Sequence, residues 1–356
     1  MRKFIIVLSA LAILLSSILF SGCGQSETTL IEIKPSAEDE KVVGTVGDYE
    51  ILYDELRFLV LNFRASMEDK YGEGIFKGEN ASTYLEELKN DVYDALKVNS
   101  AALTVAKRYE ITPDSESVKD YVKLQLEALA SEFAEQLAFE RDDDGEPSKD
   151  EINALYREYL AENHLTDRYN RFVYAVDGCV SALIEKLTVN GTIPNDDETV
   201  GAYIRNNFVR TLHVYIRNDE KDDVSANRRI AEDCLDDLRS GRKTMIELIG
   251  SVYNEDLTLT SKHGYYFTKG EFSAEYEAAA FGIGVGEYSD VVETATGFYV
   301  IQRLELEDDY IEAHFEDLKT KYRYAYVNDM IAECRDTLSF VPRSDYAKGF
   351  FWSEIK

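Results

Sequence analysis

The chain is expected to fold as an α+β protein, a mainly helical region into which a smaller domain of strands and helices is inserted. Three observations predict this. Apolar residues recur every three or four positions for about 150 residues after Leu52; runs of β-branched and aromatic residues then alternate with short helical stretches from Val209 to Leu304; and helical spacing returns after Asp308. The 356 residues suffice for about two domains, and a hydrophobic fraction of 45% with 24 Tyr and 17 Phe predicts packed cores rather than disorder.

The elements follow in order. Met1-Arg2-Lys3 precedes an apolar run from Phe4 to Phe20, broken only by serines, and then Ser21-Gly22-Cys23. A basic start, a short apolar middle and small residues before a cleavage point make residues 1–22 an expected export signal. The Leu19-Phe20-Ser21-Gly22-Cys23 junction resembles a bacterial lipobox, which implies a lipidated Cys23 and a chain tethered to the outer face of the cell membrane. Residues 23–41 are polar and charged and are expected to form a flexible linker.

Val42 to Ile51 predicts a hairpin turning at Gly47-Asp48. A helical domain is then expected over 42–205. Thr83-x-x-Glu86 has the form of a capping box, followed by the stripe Leu85, Leu88, Val92 and Leu96. Pro113-Asp114 is expected to start a helix with the stripe Val118, Val122, Leu126, Leu129, Phe133 and Leu137. Ser148-x-x-Glu151 opens another, and Tyr169 to Leu187 and Glu198 to Phe208 continue the pattern. The acidic loop Asp142 to Pro147 lacks the glycine and glutamate spacing of a calcium loop.

The inserted domain is expected over 206–306. Its order is a strand at Val209 to Ile216, helices at about Ser225 to Ser240 and Thr244 to Val252, and a strand at Gly264 to Phe267. A helix at Ala274 to Phe281 and strands at Tyr288 to Glu293 and Gly297 to Leu304 complete it. Residues 307–356 are expected to be a C-terminal helix packing on the N-terminal domain, because such a helix needs a partner face.

Charge excludes some partners. Lys and Arg number 39 against 68 Asp and Glu, a net charge of −29, which argues against nucleic acid and against electrostatic adhesion to an anionic membrane. Cys179, Cys234 and Cys334 lie too far apart for metal-ligand pairing, and His164, His263 and His314 are scattered, so no metal or cofactor is expected.

Within the inserted domain, Gly264-Tyr-Tyr-Phe-Thr-Lys-Gly-Glu-Phe272 leads to Glu275-Tyr-Glu-Ala-Ala-Ala-Phe281. Gly284-Val-Gly-Glu-Tyr-Ser-Asp-Val-Val-Glu-Thr294 and Gly297-Phe-Tyr-Val-Ile-Gln-Arg303 follow. This series resembles the parvulin-type (PpiC) peptidyl-prolyl isomerases. The resemblance implies a small antiparallel four-stranded sheet with three helices. With the export signal and flanking helices, the whole chain resembles the PrsA-type extracytoplasmic foldase lipoproteins and, more distantly, the SurA-type chaperones. What the resemblance implies is a catalyst of X-Pro isomerisation in unfolded or exported polypeptides, working without cofactor. It implies catalytic roles for His213, Asp256 and Tyr299 and a proline pocket lined by Phe272, Tyr276 and Phe281. Tyr299 stands where the family usually has a second histidine, whose hydrogen bond to the first its hydroxyl would replace.

Taken without the resemblance, His213 reads as a core histidine, the three pocket aromatics equally as a plain core stripe, and Asp256 as a loop or capping residue. A second functional class follows from Tyr299: a holdase that binds unfolded exported chains with little or no catalysis. The helical domain is a candidate surface for pairing with a second copy of the chain.

Overall fold

The computed structural model describes residues 30–140, 145–218, 223–259 and 262–343. The export signal over 1–22, the lipidation site Cys23 and the aromatic tail from Phe350 to Trp352 lie outside the described residues. In chain order the elements are β1 (Val42–Val46), β2 (Tyr49–Leu52), α1 (Tyr53–Tyr71), α2 (Ala81–Arg108), α3 (Glu116–Glu140), α4 (Lys149–Glu162), α5 (Asp167–Val189) and α6 (Asp197–Asn207). There follow β3 (Val209–Arg217), α7 (Val224–Arg239), α8 (Met245–Ile249), β4 (Tyr265–Phe267), α9 (Ala274–Gly282), β5 (Val292–Thr294) and β6 (Gly297–Leu304). The described chain closes with α10 (Asp308–Ala313), α11 (Phe315–Asp336) and β7 (Phe340–Pro342). They fall into two compact units. One contains the described residues up to Lys186 and those from Asp329 onward, and the other is Leu187–Asn328. The fold is α+β, and the second unit is an insertion wider than residues 206–306, because it takes in α6, α10 and most of α11.

In the first unit, β1 and β2 form the expected hairpin, with Gly47 in the left-handed region at φ 57°. Val43, Val46 and Ile51 bury against Leu56, Leu59 and Val60 of α1 and against Leu88, Val92 and Leu96 of α2, the stripe read from the sequence. Leu126, Leu129 and Phe133 of α3 pack on Ile152, Tyr156 and Leu160 of α4, which starts at the expected Ser148–Glu151 capping box. The other expected box is absent. Helix α2 begins at Ala81 after Asn80, so Thr83 lies within it, and the Glu86 amide that it would have to cap falls beyond the four unpaired amides of the helix start. Helix α3 likewise begins at Glu116, after the Pro113-Asp114 pair.

Two further expectations are corrected here. Residues 30–41 are not a free linker: Leu30 is buried in the α3–α4 core, the Ile31 amide donates to Asn153 (2.9 Å), and the Ile33 amide donates to Asp167 (3.1 Å). The apolar side chains of Leu30 and Ile33 win over the local charge because helices α4 and α5 offer them a face and matching polar partners. The C-terminal segment is not helical to its end either. After α11 the chain returns as β7, adding to the hairpin in the order β2-β1-β7, and Phe340 lies over Gly44, where a Cβ would come within 2.4 Å of its ring. Pro342 is tolerated because β7 is an edge strand.

The start of α5 is tied to the start of α1 by charge. Asp54, fully buried, accepts from Thr166 Oγ1 (2.6 Å) and from both Nε (2.8 Å) and Nη2 of Arg168. Beside it Glu55 is also buried, and its Oε1 has no hydrogen-bond partner among the described residues. Burial, helped by Asp54 and opposed by Arg168 and Asn99, pushes the Glu55 carboxyl up to about 8. A carboxyl raised on folding favours the native state fully below its unfolded value, and that contribution is lost as pH rises through the folded value. Stability to denaturant is therefore expected to fall between the ordinary carboxylate range and about pH 8. The Glu55→Gln chain should show a flatter dependence, and an unchanged slope in that variant would refute the assignment.

In the second unit the sheet order is β4-β3-β6-β5, every pair antiparallel. The expected strand from Tyr288 to Glu293 is mostly irregular, with a bridge from Tyr288 to Gln302 before β5 begins at Val292. Strand β3 is covered on both faces, which is why it reads as a nearly unbroken apolar run. Leu212, Val214 and Ile216 face α7 and α8, packing on Leu235, Leu238, Leu248 and Phe298. The period of two turns Val209, Thr211, His213 and Tyr215 to the opposite face, the side of α9. The glycines opening β4 and β6 permit close passage beside β3. Gly264 has φ 72° and a Cβ there would lie 2.1 Å from the Thr211 carbonyl oxygen, and at Gly297 it would lie 2.2 Å from that of Ile216.

Candidate functional site

His213 sits in the middle of β3, with only 2% of its surface exposed. Its Nε2 lies 2.9 Å from Asp256 Oδ2 and its Nδ1 lies 2.9 Å from the Tyr276 hydroxyl. Both ring nitrogens are thus engaged, one from a loop and the other from a helix.

The loop after α8 brings Asp256 in by being stitched to β3. The Tyr215 amide donates to Asn254 Oδ1 (3.0 Å), the Glu255 amide donates to the Tyr215 carbonyl (2.8 Å), and Asn254 Nδ2 donates to the Asp256 carbonyl (3.1 Å). The carboxylate then caps its own turn, accepting at Oδ1 from the Thr258 amide (2.8 Å) and hydroxyl (2.7 Å). Oδ2 also accepts from the Tyr265 hydroxyl (2.7 Å), and the Tyr265 ring stacks on His213 at 5.4 Å. Burial alone would push this carboxyl up. The hydrogen bonds from His213, Tyr265 and Thr258 outweigh it and hold Asp256 well below the usual carboxylate range. The side chain keeps 14% exposure, so an ionised carboxylate is presented at the surface of the site.

Helix α9 starts at a Ser273 cap whose Oγ accepts from the Tyr276 amide (3.3 Å). Just before it, Glu277 Oε1 gathers the amides of Gly270, Glu271 and Phe272 at 2.7, 2.8 and 3.0 Å. That loop closure sets Phe272, half-buried, flat against Tyr276 at 4.5 Å and edge-on to Tyr265 at 5.6 Å. Tyr299, from β6, stands edge-on to His213 at 5.1 Å and to Tyr276 at 5.2 Å.

The sequence-predicted residues therefore separate into three groups. His213, Asp256, Phe272 and Tyr299 belong to one cluster of contacts: Tyr265 touches His213, Asp256 and Phe272, and the Tyr299 ring meets His213 edge-on. Tyr276 is at the same place and, at 1% exposed, is as enclosed as His213. Its hydroxyl reaches inward to His213 and Thr211 because α9 packs directly over β3. Phe281 is one ring removed, meeting the cluster through Phe267 at 5.8 Å. The expected Tyr299 hydroxyl bond to His213 is also absent. The Tyr299 ring instead stacks on Tyr215 at 4.4 Å. Tyr265, Thr258 and Thr211 were missed. The alternation that puts Tyr265 on the Phe267 face of β4 was the available signal for the first of them.

Residues 213–305 match the family model described as "Rotamase: PPIC-type PPIASE domain", so this segment is a PPIC-type domain. Over 136 residues the chain is 29% identical to a foldase protein PrsA of Halalkalibacterium halodurans, covering 36% of this chain and 38% of the relative. Over 70 residues it is 37% identical to the peptidyl-prolyl cis-trans isomerase ssp-1 of Neurospora crassa, covering 19% and 37%. The match thus spans less than two fifths of the length of either curated relative. Among solved structures, the foldase protein PrsA of Streptococcus pneumoniae superposes with a TM-score of 0.33 at 16% identity, covering 70% of this chain and 88% of that one. PrsA from Bacillus subtilis gives 0.26 at 17% identity, covering 84% and 91%.

Proposed function

We propose that this chain is a peptidyl-prolyl cis-trans isomerase that assists the folding of exported polypeptides on the outer side of the cytoplasmic membrane. The PPIC-type match over residues 213–305 supports the reaction. The observation that carries it in the site is an ionised, hydrogen-bonded Asp256 beside the half-buried rings of Phe272 and Tyr299.

An X-Pro bond resists rotation by roughly 18–20 kcal/mol because twisting the amide destroys its resonance. The planar form owes part of that resonance to a structure with negative charge on the carbonyl oxygen and positive charge on nitrogen. A fixed carboxylate near that oxygen disfavours the planar form, and an apolar hollow that strips water from the carbonyl disfavours it further. The twisted, ketone-like state gains relative to the ground state on both counts. No nucleophile and no metal enters this scheme. His213, with both nitrogens bonded, holds the carboxylate in place rather than transferring a proton.

Phe272 and Tyr299 are assigned to grip the proline ring, and Phe281 to extend that apolar side toward neighbouring residues of the client. Replacing Phe272 by Ala removes the rings' shared face, so KM for a proline peptide should rise about fivefold to tenfold with a smaller change in kcat. An unchanged KM would remove Phe272 from the pocket. The basic, apolar and small-residue pattern of residues 1–22 supports the same reading's further parts: export, acylation of Cys23 and tethering to the membrane. Pairing of two copies through the helical region belongs to it as well and is tested by the mass of the chain in solution.

The decisive measurement is acceleration of cis-to-trans relaxation in a proline peptide by the full chain. A rate equal to the uncatalysed one at high protein concentration would reject the isomerase and leave a chain-binding role.

A further inference from the structure

An imidazole ring is fixed only when both nitrogens have partners, one of them setting the tautomer. Asp256 is ionised and can only accept, so His213 Nε2 carries the proton donated to it, and Nδ1 is left to meet the group on the other side of the ring. Facing Nδ1 at 2.9 Å is the Tyr276 hydroxyl, whose oxygen is also 2.9 Å from Thr211 Oγ1. A phenol has a single proton. Given to Nδ1, it leaves the phenol oxygen to accept from Thr211, and the directions of all the bonds then agree. Thr211 and Tyr276 are both buried, so water does not compete for either group. Burial also pushes the Tyr276 phenol far above its ordinary value, which keeps that proton in place. Position 299, where the resemblance to parvulins implies the second partner of this ring, gives His213 only a ring edge.

We propose that Tyr276 is the positioning residue of His213, so that Thr211, Tyr276, His213 and Asp256 form one directed hydrogen-bond chain ending on the carboxylate that faces the substrate. The hydroxyl that orients the ring thus comes from α9 and not from β6. A direct consequence concerns Tyr299→His: a histidine placed there finds Nδ1 of His213 already occupied, and no gain in rate follows. Only the kinetic part of this inference rests on the isomerase reading.

The test uses the full chain and two readouts. Tyr276→Phe should lower kcat about tenfold, as loss of one buried hydrogen bond implies, with KM within about twofold of the parent. In the same variant the 15N resonance of His213 Nδ1 should move toward that of an imidazole nitrogen with no donor. Tyr266→Phe, which removes a buried phenol hydroxyl bonded to Glu307, should move neither. Should Tyr276→Phe fold poorly, Tyr276→Phe with Thr211→Val removes the orphaned threonine hydroxyl and should show the same kinetic loss. An unmoved Nδ1 resonance in a folded Tyr276→Phe chain overturns the assignment, and so does a kcat equal to that of the parent. A parent chain without catalysis overturns the isomerase reading alone, and the Nδ1 resonance still decides the role of Tyr276.

Discussion

Asp256→Ala is expected to slow prolyl isomerisation by about 100-fold, the size of effect seen when one preorganised electrostatic group is removed from a site. The carboxylate is the charge that this cluster presents, and five donor groups, from His213, Tyr265, Thr258 and Leu259, hold it in place. Asp256→Asn separates charge from shape. The amide oxygen can still accept from His213 and Tyr265, but the NH2 then faces the Thr258 amide that Oδ1 had accepted from, so the loop is checked through the Thr258 amide resonance, and the rate should fall nearly as far as in Asp256→Ala. An Asp256→Asn chain with parental kcat/KM would show that charge is not used and would reject the scheme. The pH profile gives a second check. Because the folded carboxyl titrates well below the usual carboxylate range, its contribution is lost only as pH falls through that low value. Activity should therefore persist through pH 4 as long as the chain stays folded.

The largest loss of stability is expected from Arg168→Met. Asp54 is fully enclosed, and two of its hydrogen bonds come from that guanidinium. Removing the cation leaves a buried charge uncompensated, which costs about 3–5 kcal/mol. Arg168→Lys should recover only part of this, since an ammonium cannot reproduce the bidentate fork. Asp54→Asn combined with Arg168→Met should be markedly more stable than Arg168→Met alone, because no unpaired charge remains. Denaturant titration of the three chains decides the point. Equal stabilities for Arg168→Met and the parent would mean that Asp54 is solvated or protonated.

Local patterns carried much of this structure in the sequence, and long-range ones did not. Strand β3 and helices α7 and α9 were legible because periodicity and caps are properties of short windows. The apolar stripes of α2 and α3 were legible for the same reason. The Asp54–Arg168 pair joins residues over a hundred positions apart and leaves no local trace. Strand β7 is too short for alternation to show, and the short apolar run at 30–33 is hidden by the charged residues 38–41 that follow it until the α4 and α5 faces that hold it are known. In the site, it is the resemblance that singles out His213, Asp256 and the aromatic positions, and their roles are those proposed above. It supplies a residue type at position 276, whereas the direction of that hydroxyl depends on how α9 lies across β3.

Strand β1 has its hairpin partner β2 at once, but its other edge waits for β7, which is synthesised only after the whole inserted domain. A chain that emerges with its N-terminus first must therefore carry an open, hydrogen-bond-hungry edge at Gly44 to Val46 until nearly all of it has been delivered. Loop closure over so long a separation is slow, and the insertion can fold while the host is still incomplete. The first unit is thus the last to finish, and truncation before Phe340 would leave a protein whose inserted domain is formed but whose hairpin remains a template for wrong partners.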